Sequence, residues 1–364
     1  MLIHEIALTL IPGVGTITAK KLLAYCGSAE AVFKENNPKL KKIPRISEAI
    51  IHAIHTPGIF ERAEKEAIFI EKYQIKTMFF LDDAYPYRLK QCIDGPLMLY
   101  YKGNADLNAE RILGIVGTRT PTEQGKEICR MIVEGLSLSN VLVASGLAYG
   151  IDSCSHKAAL DNGLNTIGVL GHGLDRIYPH QNRQLAERMI QNGGLLTEFT
   201  TKTKPDRENF PMRNRIIAGM SDAVLVVEAA LKGGALITAE IADSYDRDVF
   251  AIPGRVSDTY SSGCNMLIKK NKAAMIESAE DIIYLMGWEE KSKNNKSIQK
   301  KLFYDFTPDE ESVVNYLKTN TEVSVDILCS ETGMNMSRLA AALLNLELEG
   351  VIKTLPGKIY RLAL

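Results

Sequence analysis

Gly114-Ile-Val-Gly-Thr-Arg119 decides the fold of this 364-residue chain: an apolar run, Ile112–Val116, stops at Gly117 and carries Thr118 and Arg119 past its end. Working outward, apolar runs of strand length recur at Val141–Ala144, Thr166–Leu170, Leu195–Thr197, Ala223–Val227 and Val249–Ile252. Such short, continuous runs suit strands buried on both faces of a parallel sheet, and helix-length segments separate most of them. The pattern is β-α-β, and it predicts an α/β fold with an extended Rossmann-like core. The second run leads into Ser145-Gly-Leu-Ala-Tyr-Gly150 and the third into Gly171-His-Gly173. The fifth reaches Glu228 and Lys232-Gly-Gly234, and the sixth Pro253-Gly254. Ligands of open α/β sheets lie outside the carboxyl ends of the strands, where helix N-termini offer unpaired N–H groups. Glycine-rich strand ends with arginine and lysine beside them therefore predict a cradle for something phosphorylated.

The totals narrow the class. A length of 364 residues predicts two or three domains, one with a substantial core. Hydrophobic residues at 46% and charged residues at 24% are ordinary for a soluble protein. The formal net charge is −1, so nucleic-acid binding needs a local patch. The cysteines, at 26, 92, 129, 154, 264 and 329, include no Cys-x-x-Cys pair. Their scatter predicts reduced thiols in a cytoplasmic protein, with no disulfide framework and no zinc site. Met1-Leu-Ile-His-Glu-Ile6 lacks the basic segment and long apolar run of a signal peptide. The longest apolar tract, 218–242, is interrupted by Asp222, Glu228 and Lys232, so no membrane span is expected.

Four parts follow one another along the chain. Residues 1–75 are predicted to form a helical domain of helix-hairpin-helix or SAM-like type, with Ile11-Pro-Gly-Val-Gly15 as the hairpin and Lys20-Lys21 after it. The glycine N–H groups of such a hairpin can grip a phosphate; the alternative is a packing module that keeps only the shape. Ile43-Pro-Arg-Ile-Ser47 resembles a second copy without its glycines. Residues 76–288 are the Rossmann-like core, with a leading bridge over 78–103 laid against it and a closing helix at Ser278–Trp288. Residues 289–304 are polar and lysine-rich and read as a linker. Residues 305–364 suggest helices at Pro308–Lys318, Val325–Thr332 and Ser337–Leu348 and a wing at Val351–Pro356 and Lys358–Leu362, a winged-helix domain. That domain has nine acidic and five basic side chains, a net charge of −4. Phosphate contact dominates DNA affinity, so a partner-binding or autoregulatory role is favoured there over DNA contact.

The strand ends carry the chemistry. Arg119 stands at a strand's carboxyl end as the leading phosphate contact, the alternative being a surface arginine paired to a carboxylate. Thr120-Pro-Thr-Glu123 behind it has the form of a capping box with proline at N1. Asn209-Phe-Pro-Met-Arg-Asn-Arg215 opens a helix, placing Arg213 and Arg215 near its positive end, where an anion would justify them. A salt bridge to Glu208 or Glu198 is the competing explanation. Lys232-Gly-Gly-Ala-Leu-Ile-Thr-Ala-Glu240 is a further helix opening with glycine N–H groups and a lysine. Phe210 offers a base-stacking ring or a core residue. His156, four residues after Asp152, reads as structural, and His172, Asp175 and His180 are too loosely spaced for a metal site. Neither Gly-x-Gly-x-x-Gly nor Gly-x-x-x-x-Gly-Lys-Ser/Thr is present, so no cofactor and no P-loop hydrolysis are expected.

With these residues assembled the chain resembles the DprA/Smf family of DNA-processing proteins. The likeness runs through Ile115-Val-Gly-Thr-Arg119, Ala144-Ser-Gly-Leu-Ala-Tyr-Gly-Ile-Asp152 with His156, and Gly171-His-Gly-Leu-Asp175 with Tyr178-Pro179 and Asn182. It continues through Phe210-Pro-Met-Arg-Asn-Arg-Ile-Ile217, Lys232-Gly-Gly-Ala-Leu-Ile-Thr238 and Ala251-Ile-Pro-Gly254 with Gly263 and Asn265. Thr118 departs from the family's usual serine, Gly233-Gly-Ala235 from Ser-Gly-Ser, and Asn271-Lys-Ala273 from a Gly-Ala ending. The resemblance implies a non-enzymatic protein that binds and protects single-stranded DNA, forms a homodimer and assists RecA loading in natural transformation and recombination. It implies DNA-facing residues at Gly117, Thr118, Arg119, Ser145, Gly146, Arg213, Asn214, Arg215 and Lys232, which the glycine N–H groups of Gly233 and Gly234 join. The alternative is a nucleotide-processing enzyme of phosphoribohydrolase type using the same pocket, with Glu240 as a general base only if it faces that pocket.

Overall fold

A computed structural model describes residues 1–289 and 306–363. The linker expected over 289–304 lies outside the described residues apart from Glu289, as do Asp305 and Leu364. Two compact units result, Met1–Trp288 and Glu289–Leu364.

The first unit is built on one sheet. Its strands are β1 (Lys76–Phe79), β2 (Met98–Gly103), β3 (Ile112–Val116), β4 (Leu142–Ser145), β5 (Thr166–Val169), β6 (Gly193–Thr197), β7 (Ala223–Val226), β8 (Asp248–Ala251) and β9 (Ala274–Met275). They lie in the order β1-β2-β6-β5-β4-β3-β7-β8-β9. From β6 to β9 every pairing is parallel. Strand side chains alternate between faces, so Ile112 and Val116 join one buried cluster while Leu113 and Ile115 join another. Burial on both faces is why these strands read as continuous apolar runs. The bridge expected over 78–103 proves to supply much of an antiparallel edge: β1 pairs with β2, and β2 pairs with β6. Along β2, Leu99 and Tyr101 face the sheet's own core, whereas Met98 and Tyr100 join the N-terminal helices.

Those helices are Leu2–Thr9, Thr16–Cys26, Ala29–Lys34, Asn37–Leu40, Glu48–Ile54 and Ile59–Tyr73. They pack on the β1–β2 edge in one hydrophobic cluster with Phe79 and Leu97. Polar contacts fix the docking. Buried Glu66 accepts from the Thr201 backbone N–H and hydroxyl, and Arg62 donates to the Thr201 carbonyl. Gly13 takes the hairpin through φ +74°, but Lys20 donates to the carbonyls of Cys92 and Ile93 and lies over the Phe80 ring. That cation holds the helical module to the sheet, in line with the packing reading of the hairpin.

One local expectation is corrected. The cap after β3 is Thr122, whose hydroxyl accepts from Gly125 N–H, and the helix begins at Glu123. Thr120 instead has its hydroxyl on Tyr260. The closing helix is Ala279–Leu285, capped by Ser278 and Asp281.

The second unit has helices Pro308–Thr319, Val325–Thr332 and Met336–Leu348 and strands β10 (Val323–Ser324), β11 (Ile352–Leu355) and β12 (Ile359–Leu362) in the order β10-β12-β11. Arg338, the cation of its third helix, is held by Asp309 at 2.6 Å. Among the described residues no helix is long and apolar enough to cross a membrane.

Candidate nucleic-acid interface

A cavity of about 730 Å³ opens at the carboxyl ends of β3 and β7, lined by the turns that follow them and by the helix Asn209–Met220. Glycine makes the turn after β3 possible. A Cβ on Gly117 would collide with Ile151, and one on Gly150, at φ +82°, would collide with the Thr118 carbonyl. The two loops can therefore lie against each other, joined by Ile151 N–H donating to Thr118 O. Thr118 N–H in turn donates to Glu228 O at 2.7 Å, which sets the turn against β7.

Arg119 leaves this turn with its guanidinium carbon 5.4 Å from the centroid of the Phe210 ring. Arg213 approaches the same ring at 5.9 Å. Tyr178 lies 6.0 Å from it, ring to ring. Neither Arg119 nor Lys232 has a carboxylate partner among the described residues. Lys232 is exposed on the cavity rim, just before Gly233 and Gly234. A Cβ on Gly233 would meet nothing within 4 Å. The helix Gly234–Ser244 thus presents an uncapped N-terminus there, a ready anion site. Asn214 donates to the Gly234 carbonyl at 3.2 Å and ties the two helix openings together.

Arg213 is the buried cation of the group, 4% exposed. Its Nη1 donates to the Val169 carbonyl at 2.7 Å, and its Nε has no partner. Burial pushes its pKa down to about 10, opposed by the charge of Asp152, so it stays protonated at neutral pH. Burial likewise raises Asp152, against Arg213 and the N–H groups of Ala148 and Gly146. Beneath Arg213 lies His156, whose Nδ1 is 2.6 Å from Thr166 Oγ1. That hydroxyl donates to Val143 O, so Nδ1 carries the ring proton and Nε2 is left without a partner. Burial, then the charge of Arg213, takes His156 down to about 3.

Gly117, Thr118, Arg119, Arg213, Asn214, Lys232, Gly233 and Gly234 all line the cavity. Three sequence candidates do not. Gly146 is buried under the Arg213 guanidinium. Ser145 is fully buried and donates to the Ile115 carbonyl, bracing β4 against β3. Arg215 donates to Glu198 and to the Asp94 carbonyl on the far side of its helix. The salt-bridge alternative is the geometry observed for that residue. Tyr260 and Arg207 also line the cavity, and the sequence reading missed both. Arg207 stands two residues before its helix, within reach of a search for basic residues. Tyr260 has no pattern around it that could have marked it.

Sequence and structure comparisons agree with one another. The chain matches the family model described as DNA recombination-mediator protein A over residues 76–287, and the DprA winged helix domain over 305–358. It is 39% identical over 292 residues to the Smf protein of Synechocystis, covering 78% of this chain and 72% of that one. It is 43% identical over 209 residues to the DNA processing protein DprA of Bacillus subtilis, covering 57% and 70%. The X-ray structure of DprA from Streptococcus pneumoniae superposes with a TM-score of 0.65 at 35% identity, over 78% of this chain and 98% of that one. DNA processing protein A from Helicobacter pylori, studied for its single-stranded DNA binding mode, gives 0.54 at 29% identity over 58% and 95%. Sequence motifs, sheet and winged helix thus coincide, and the chain belongs to the DprA/Smf family of DNA-processing proteins.

Proposed function

We propose that this chain is a cytoplasmic, non-enzymatic single-stranded DNA-binding protein of natural transformation, acting as a homodimer that protects the strand and helps load a RecA recombinase. The observation that carries the proposal is the convergence of Arg119, Arg213 and Lys232 on one cavity, with the Phe210 ring close to two of the cations. Phosphates meet the cations and the uncapped N-terminus at Gly234, while bases stack on the ring without regard to sequence. Kinship with a Helicobacter pylori protein that has a single-stranded DNA binding mode supports the ligand.

Against the enzymatic alternative stands the placement of the carboxylates. Glu240 is exposed and does not line the cavity, and Asp152, the lining carboxyl, is buried with two N–H groups and Arg213 beside it.

The test is a salt titration of binding to single- and double-stranded oligonucleotides, with the full chain and with a chain ending at Trp288. Single strands should be preferred, with a log–log salt slope of about −0.7 per phosphate, or roughly −2 for three contacts. Removing the winged helix should leave that slope unchanged. Salt-independent binding, or release of free base from nucleoside monophosphates without strand binding, would overturn the proposal.

A further inference from the structure

Tyr260 lines the same cavity yet belongs to none of the phosphate-gripping elements. It lies at the end of the loop after β8, and that loop is tied down. The Asn265 side chain donates to Gly254 O at 2.9 Å and accepts from Gly254 N–H at 3.1 Å, while Ser261 N–H donates to Asp258 O at 3.1 Å. The tyrosine itself is held at both ends. Its carbonyl accepts from Ala229 N–H at 2.6 Å, beside the Lys232 turn, and its hydroxyl is 2.8 Å from Thr120 Oγ1. Thr120 follows Arg119 directly. Arg119 therefore has one aromatic ring against its own guanidinium, Phe210, and a second ring anchored by the next residue.

A partly exposed tyrosine whose hydroxyl oxygen accepts from Thr120 Oγ1 is held in place and offers a ring face to the cavity it lines. That face is flat and apolar, already fixed in orientation, and braced by the residue that follows a cation without a carboxylate partner. This combination recognises a heteroaromatic base attached to a phosphate, at little ordering cost.

We propose that Tyr260 is a second base-stacking platform, so that consecutive nucleotides place a base on Phe210, a phosphate on Arg119 and the next base on Tyr260. The inference rests on the single-strand reading of the cavity and deepens it.

The experiment uses the full chain and a short oligothymidylate carrying 5-iododeoxyuridine, with ultraviolet cross-linking and peptide mapping, beside affinities of Tyr260→Phe and Tyr260→Leu. A cross-linked peptide containing Tyr260 is expected. Tyr260→Phe should bind within about threefold of wild type, and Tyr260→Leu roughly 5- to 150-fold more weakly, the range for loss of one stacked base. If Tyr260→Leu does not fold, the wild-type cross-link decides alone. With wild-type binding intact, three results overturn the platform: unchanged affinity in Tyr260→Leu, an equal loss in Tyr260→Phe, which assigns the effect to the hydroxyl brace, or absence of the Tyr260 adduct. Failure of the wild type to bind the oligonucleotide sinks the single-strand reading itself, and the platform with it.

Discussion

Arg213 lays its guanidinium across Gly146, where a Cβ would fall inside van der Waals contact of Nη1, Cζ and Nη2. The glycine is needed for that close approach, since its φ is not among the positive ones. Gly146→Ala is therefore expected to push Arg213 off the Val169 carbonyl and out of register with Phe210. A charge-assisted contact from Arg213 to a phosphate is worth about 1.5–3 kcal/mol, so its loss should lower single-strand affinity roughly 10- to 150-fold. Fluorescence anisotropy with a short oligonucleotide reads the change, and wild-type affinity in Gly146→Ala would sink this account of the contact.

Arg119 and Lys232 on one side, and Arg215 on the other, are expected to behave as different kinds of residue. Arg119→Ala and Lys232→Ala should each reduce the salt slope of binding by about 0.7 and leave the melting curve near wild type. Arg215→Ala should keep the slope and lose stability, because it strands Glu198, whose side chain is 12% exposed. Breaking such a buried pair costs about 3 kcal/mol. A urea titration beside the salt titration separates the two behaviours. A reduced slope for Arg215→Ala at unchanged stability would contradict the geometry.

That contrast was already present in the sequence. Residues two apart on a helix lie about 200° apart around its axis and do not share a face, so Arg213 and Arg215 could not both meet one ligand. The parallel strands were legible because burial on both faces removes every polar interruption. The edge pair β1 and β2 was not, since β2 is buried between the sheet's core and the helical module and carries its tyrosines inward. The rule for strand ends pointed to Arg119 and Lys232, and the opening of a helix pointed to Arg213. Ser145 obeyed the same rule and failed it, because the last residue of a strand can turn its side chain into the sheet as readily as out of it.

Cys154 is expected to be alkylated before the buried thiols. The Cys129 thiol donates to it, and Arg130, Lys157 and Lys126 add to the effect, so its pKa falls below the ordinary thiol value despite partial burial. Burial takes Cys92 to about 11 and Cys264 to about 12, and Cys129 is raised by its bond to Cys154 and by burial. Iodoacetamide should label Cys154 at a lower pH than an ordinary thiol, while the other three remain unmodified in the native protein. Peptide mass spectrometry resolves them, and uniform labelling of all four would contradict the assigned environments.

His156 should make the folded state sensitive to mild acid. Its pKa is about 3 in the fold, lowered first by burial and then by Arg213, against about 6.5 in an unfolded chain. Between those values the unfolded chain binds a proton that the native one refuses. Stability is therefore complete above about pH 6.5 and falls as pH drops toward 3, with a slope of about 1.4 kcal/mol per pH unit from this group. Replacing the ring by a non-titrating amide, His156→Gln, should remove that contribution while leaving a donor for Thr166 Oγ1. Urea unfolding from pH 7.5 down to 4.5 measures both slopes. If wild type and His156→Gln lose stability in parallel across that window, the histidine does not enter the fold as the buried, neutral ring beneath Arg213.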